Sequence, residues 1–194
     1  MVKRIRKLLQ HKKEVKIITL VRDPIAKTVS QLFQTPESFK LDEATLLEMD
    51  ANDICELLIG RYQDRFREPL KWFDEEFKRF TGIDVYSVPF DHLSRCEKLK
   101  SDCFDILVLR MEDLFCEKLI VNHLSELTNR SITKLISANQ TMNKQSASQY
   151  MKVKRSIKLS ESFLNEIYSS QYCQHFYTEI EIKTFKEYWR SENI

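Results

Sequence analysis

At 194 residues, with 42% hydrophobic and 31% charged content, the chain can bury one substantial core, and a single domain over 1–194 is the expectation. The formal net charge is +2, so an anion-directed surface has to come from local clustering rather than from an overall basic protein. No apolar run approaches the roughly 20 residues of a bilayer span, and no apolar signal-peptide region follows the basic start. The five cysteines are odd in number and form no Cys-x-x-Cys pair, which reads as reduced thiols in a cytoplasmic protein.

In chain order, Val2, Ile5, Leu8 and Leu9 alternate with basic residues as in a short amphipathic helix leading into the domain. Residues 16–21 then form an apolar β-branched run that predicts an internal parallel strand, buried on both faces. Asp23 is placed to cap a helix and Pro24 to begin it, with Ile25, Val29, Leu32 and Phe33 on its inner face. A loop at 35–38 precedes helices carrying Ile54, Leu57, Leu58, Tyr62 and Phe66, then Leu70, Phe73, Phe77 and Phe80, the last ended by Gly82. Strands are predicted at 83–88 and 104–110, a helix from about Glu112, and closing helices at 159–168 and 179–189. Strands separated by helices predict a parallel sheet with helices on both faces.

Charge is unevenly spread. Residues 1–16 carry seven Lys or Arg against Glu14, and from Leu127 to Ser160 there is no acidic residue, while Arg130, Lys134, Lys144, Lys152, Lys154, Arg155 and Lys158 are present. Such a stretch tolerates phosphate. With Tyr150 as its sole aromatic residue it offers no base-stacking platform, so a nucleotide phosphate fits better than nucleic acid. A strand end, a guanidinium at Arg22 and the start of a helix also favour an anion.

The pattern of a strand, Arg22, Asp23-Pro24 and Ser30 resembles the 3′-phosphate-binding segment of sulfotransferases. Trp72-Phe73-Asp74-Glu75-Glu76, Gly82 to Tyr86, Pro89-Phe90-Asp91, Ile106 to Leu114, Ser156 to Leu159 and His175-Phe176-Tyr177 extend the resemblance to bacterial sulfotransferase-like proteins of capsular polysaccharide synthesis. The resemblance implies a three-layer α/β fold of the P-loop NTPase-like type, with a parallel sheet flanked by helices. It implies 3′-phosphoadenosine 5′-phosphosulfate as sulfo donor, adenosine 3′,5′-diphosphate as product, a saccharide hydroxyl as acceptor and no metal. Arg22 and Ser30 would hold the 3′-phosphate, with Ser137 near the nucleotide and Lys152, Lys154 and Arg155 in the accompanying basic cluster. Met111 stands where sulfotransferases often have a tyrosine against adenine, and of the capsular family's Asn-Lys-Trp-Tyr-Ser motif only Asn143 and Lys144 remain.

A phosphosulfate-binding loop generally needs glycine, because backbone N–H groups converge on phosphate most readily without a Cβ in the way. The chain has two glycines, Gly60 and Gly82, neither in such a loop. The expectation is therefore a sulfotransferase-like domain that is incomplete at its N-terminus, lacking the first strand and phosphate loop, and whose residue 16–21 edge invites self-association. Glu112, at a strand end, reads as a partner of the helix dipole rather than a base. His92 and His175 receive no catalytic role, and His92, Cys96 and Cys103 match no structural zinc spacing. The alternative to a transferase is a catalytically silent remnant with a nucleotide-binding or structural role.

Overall fold

The computed structural model describes residues 14–136 and 146–191. In chain order its main elements are β1 (Val15–Val21), α1 (Pro24–Gln34), α2 (Glu43–Glu48), α3 (Ala51–Gly60), α4 (Glu68–Trp72), α5 (Lys78–Thr81), β2 (Cys96–Lys100), β3 (Phe104–Arg110), α6 (Glu117–Thr128), α7 (Ala147–Ser156), α8 (Glu161–Tyr168), α9 (Gln171–Phe176) and α10 (Glu179–Trp189). The protein is mixed α/β, mostly helical, with one small sheet. Two compact units divide it, the first comprising Met1–Arg22 and Lys71–Ile136, the second Asp23–Leu70 and Ser137–Ile194.

The first unit holds the sheet, in the order β1-β3-β2. β1 runs parallel to β3, with Val15 opposite Phe104 and Val21 opposite Arg110. β2 runs antiparallel to β3, with Cys96 opposite Leu109 and Lys100 opposite Asp105. The expectation of an all-parallel sheet is corrected here, because β2 and β3 are joined by a tight turn at 101–103 that can only reverse the chain.

The expected strand at 83–88 is also corrected. Val85–Ser87 is a turn of 3-10 helix. Asp84 Oδ1 accepts from the Tyr86 N–H at 3.0 Å and Ser87 Oγ donates to the Asp84 carbonyl at 2.6 Å. Such local side-chain bonds offer the backbone an alternative to a ladder despite the β-forming Val85 and Tyr86. β1 stands at the edge of the sheet among the described residues, as the 16–21 run was expected to, but the expectation that it is buried on both faces is corrected, since Ile18 and Leu20 are each 49% exposed.

One face of this sheet packs on α6. Cys96, Leu107, Leu109, Ile120 and Leu127 form its buried cluster, flanked by Leu114, Leu124 and Leu135. A second aromatic group joins Phe73, Phe77 and Tyr86 by edge contacts, with ring centroids 5.2 Å apart for Phe73 and Phe77. Gly82 stops α5 in the left-handed region at φ 78°, which glycine adopts without strain.

The second unit is helical. Asp42, Asp50, Ser160, Ser170 and Thr178 each cap the helix that follows by accepting a backbone N–H. Thr178 and Glu181 complete a reciprocal capping box. Ile25, Val29, Leu32, Ile54, Leu58, Val153, Leu164 and Ile167 are fully buried. The α1 and α7 faces meet through Phe33 and Tyr150, whose rings stand edge-to-face at 5.5 Å.

Candidate functional site

β1 carries the chain to Arg22, and the parallel register sets where that residue stands. Since Val21 pairs with Arg110 at the last rung, Arg22 lies one residue beyond it, at the carboxyl end of both parallel strands. This is the edge at which open α/β sheets present functional groups. Arg22 is half-buried.

The same edge holds a buried ion pair. Arg110 and Asp113 are both at least 96% buried by side chain, with Arg110 Nε to Asp113 Oδ2 at 2.5 Å and Nη2 to Oδ1 at 3.0 Å. A 3-10 turn at Met111–Asp113 folds the carboxylate back onto the guanidinium three residues earlier. Arg95, held at φ 55°, adds a third contact from Nη1 to Asp113 Oδ1 at 2.8 Å. The Arg110 guanidinium also lies over the Phe90 ring at 5.3 Å. A planar fork of this kind is a strong charge-assisted pairing, and it fixes the strand end rigidly. Glu112, in the same turn, is half-buried beside it.

In the second unit Asp23 starts α1. Its Oδ1 accepts from the Ile25 N–H at 3.2 Å and from the Tyr168 hydroxyl at 2.7 Å, and its Oδ2 accepts from Trp189 Nε1 at 2.8 Å. Asp23 is 2% exposed, and burial pushes its pKa above the ordinary 3.8, against the hydrogen bonds from Tyr168, Trp189 and the backbone, which favour the charged form. The helix start is thus occupied by the chain's own carboxylate. Pro24, the first helical residue, has no N–H to offer.

Ser30 lies in the second turn of α1, 5% exposed, where its Oγ accepts from Gln34 Nε2 at 3.3 Å. Two residues before it, Thr28 ties the helix down by donating to the Pro24 carbonyl at 2.9 Å and the Arg65 carbonyl at 3.2 Å. Lys152 and Lys154 sit on α7, Lys152 exposed and Lys154 half-buried. Residues two apart on a helix do not face each other, and Lys154 has its ammonium 5.9 Å from the Tyr188 ring. The basic cluster is therefore divided rather than convergent. Ser137, with Asn143 and Lys144, lies outside the described residues.

Three cysteines, Cys55, Cys96 and Cys173, are buried, and burial pushes their thiols up to about 11, 11 and 12. All five are free. His92 stacks edge-on against Phe90 at 5.2 Å and His175 against Phe176 at 4.6 Å. Among the described residues no group of three or more His, Cys, Asp or Glu is placed to hold a metal ion. The histidine that sequence reasoning passed over is His123, 7% exposed, whose Nε2 lies 2.8 Å from the Ser94 carbonyl. It lines a cleft of about 190 Å³ with Lys98, Asp105, Glu126 and Leu127. Its place on the inner face of α6, four residues before Leu127, was the available signal.

A family model, NKWYS, described as "Putative capsular polysaccharide synthesis protein", matches residues 46–178. The chain belongs to the NKWYS family. Neither a curated protein nor a solved structure matches it. The NKWYS match takes in β2, β3, α6, α7 and the Arg110–Asp113 turn, together with Ser137, Lys152 and Lys154, while Arg22 and Ser30 precede it. No helix among the described residues is long and apolar enough to cross a membrane.

Proposed function

We propose that this NKWYS protein is a sulfotransferase-like component of capsular polysaccharide synthesis, binding 3′-phosphoadenosine 5′-phosphosulfate and transferring its sulfo group to a saccharide hydroxyl. The polysaccharide context comes from the family. The donor comes from the resemblance of the segment around Arg22 to the 3′-phosphate-binding segment of sulfotransferases. The observation that carries the reading is the form of that segment. β1 ends at Val21, Arg22 follows at the carboxyl edge, Asp23 caps α1, Pro24 opens it, and Ser30 occupies its second turn.

In this reading Arg22 supplies a bidentate guanidinium to the 3′-phosphate and Ser30 a hydroxyl, which requires Ser30 to exchange its bond from Gln34 for one to the phosphate. Lys152 and Ser137 are assigned to the nucleotide on the resemblance alone. Lys154, drawn toward Tyr188, is the weaker member of that assignment.

One observation favours the alternative, a catalytically silent nucleotide-binding or structural domain. Of the two glycines, Gly60 ends α3 and Gly82 ends α5, so neither belongs to a phosphate-cradling loop. The test is transfer of labelled sulfo from the donor to a panel of oligosaccharides. Transfer that disappears in Arg22→Ala supports the transferase. Donor binding without transfer supports the silent domain, and neither binding nor transfer overturns the reading.

A further inference from the structure

Lys152, Lys154, Arg155 and Lys158 form a dense run of cations in the second unit, and their pairing differs from that of neighbouring arginines. Arg65 pairs with Glu68, Arg67 with Asp64 and Glu166, and Arg190 with Glu161. Among the described residues none of the four cations between 152 and 158 has a carboxylate within ion-pair distance. Their own stretch of chain offers no acidic residue from Leu127 to Ser160. An unpaired cluster of like charge repels itself, so it is a surface awaiting an anion.

Two of these cations are organised around one ring. Lys158 Nζ lies 5.7 Å from the Tyr188 ring centroid and donates to the Tyr188 carbonyl at 2.9 Å, while Lys154 Nζ lies 5.9 Å from the same centroid. The Tyr188 hydroxyl reaches back to the Lys154 carbonyl at 3.4 Å. Tyr188 is 44% exposed and is braced from below by the buried Trp189, edge-on at 4.5 Å. The result is a half-exposed aromatic ring on α10 with two ammonium groups beside it, one from α7 and one from the segment just after it.

We infer that the Tyr188, Lys154 and Lys158 surface binds an anionic saccharide, with the sugar against the phenol and its sulfate, carboxylate or phosphate substituents on the two ammonium groups. The inference rests on the polysaccharide reading above and names the class of chain that the protein engages. A single aromatic ring suits one sugar unit, whereas single-stranded nucleic acid requires successive stacking rings. Lysine, as a point charge on a flexible stem, accommodates substituents at varied positions along a glycan. Lys152, on another face of α7, is left out of this surface.

The test uses calorimetric titration of the full chain with a dextran sulfate oligosaccharide, unsulfated dextran of equal length, and single-stranded DNA of equal charge. The sulfated oligosaccharide binds, the unsulfated one does not, and DNA binds more weakly. Lys154→Ala with Lys158→Ala, the first half-buried and the second exposed, weakens the sulfated ligand about tenfold. Tyr188→Ala weakens it further, and Tyr188→Phe retains it. Unchanged affinity in the double variant, or DNA binding as tightly as the sulfated oligosaccharide, overturns the inference. Adenosine 3′,5′-diphosphate titrated into Lys158→Ala alone, which spares Lys154, separates the two proposals. Nucleotide affinity that is intact there and lost in Arg22→Ala keeps the two sites distinct. Equal loss of nucleotide in both variants assigns Lys158 to the nucleotide and overturns the saccharide site alone.

Discussion

Replacing Asp23 by alanine removes an acceptor shared by the Ile25 N–H, the Tyr168 hydroxyl and the Trp189 indole N–H. The Tyr168 side chain has no exposure and that of Trp189 is 2% exposed, so the lost bonds are buried ones. Each lost buried bond costs about 1–3 kcal/mol, and loss of the helix cap adds about 1 kcal/mol. Against this stands the relief of a buried carboxyl whose pKa is already raised by its burial. The balance is a loss of about 3 kcal/mol, a large share of the roughly 5–15 kcal/mol that holds most domains folded. Urea unfolding followed by circular dichroism reads it directly.

The pH dependence supplies the sign. A carboxyl whose folded pKa lies above its unfolded value contributes stability that is fully present below the unfolded value, near 3.8, and is lost as pH rises through the folded one. The advantage of wild type over Asp23→Asn is therefore largest in acid and shrinks as pH rises. An Asp23→Ala loss below about 1 kcal/mol, or a wild-type advantage over Asp23→Asn that grows with pH, refutes the reasoning.

Asp113→Ala removes the buried carboxylate that Arg110 and Arg95 share and costs about 3–5 kcal/mol in the same unfolding assay; a loss of less than about 1 kcal/mol would show that other contacts or water take over the two guanidinium groups. With Cys55, Cys96 and Cys173 buried and their thiols pushed up to about 11, 11 and 12, a thiol-specific reagent at pH 8 reacts readily at Cys103 and Cys116 and slowly at the other three until denaturant is added. Glu166, held below the usual carboxylate range by Arg67 at 2.5 Å, contributes a small stability that is lost as pH falls through its folded pKa and is reduced by salt; Glu166→Gln changes stability by no more than about 1 kcal/mol.

The parts of the fold that were legible are those written in short-range chemistry. The apolar run at 16–21, the Asp23-Pro24 start of α1 and Gly82 at the end of α5 each encode their structure within a few residues. β2 was missed because Cys96-Glu97-Lys98-Leu99-Lys100 is charged and short, and its register depends on β3 beyond a tight turn. The burial of β1 was overread, since an apolar sequence does not say whether a strand has one neighbour or two. The clamp on Asp23 was invisible, because its donors lie 145 and 166 residues away. For the site, Arg22 could be placed at a strand end from sequence, but the divergence of Lys152 from Lys154 follows from α7 geometry and from Tyr188, far along the chain.

The central claim is that Arg22 belongs to a site reading a nucleotide 3′-phosphate. Calorimetric comparison of adenosine 3′,5′-diphosphate with adenosine 5′-monophosphate, on wild type and on Arg22→Ala, tests it most directly. The diphosphate should bind with a dissociation constant on the order of tens of micromolar and about tenfold or more tighter than the monophosphate, as one charge-assisted cluster supplies. In Arg22→Ala that preference should vanish. Equal binding of the two nucleotides, or an undiminished preference in Arg22→Ala, contradicts the claim.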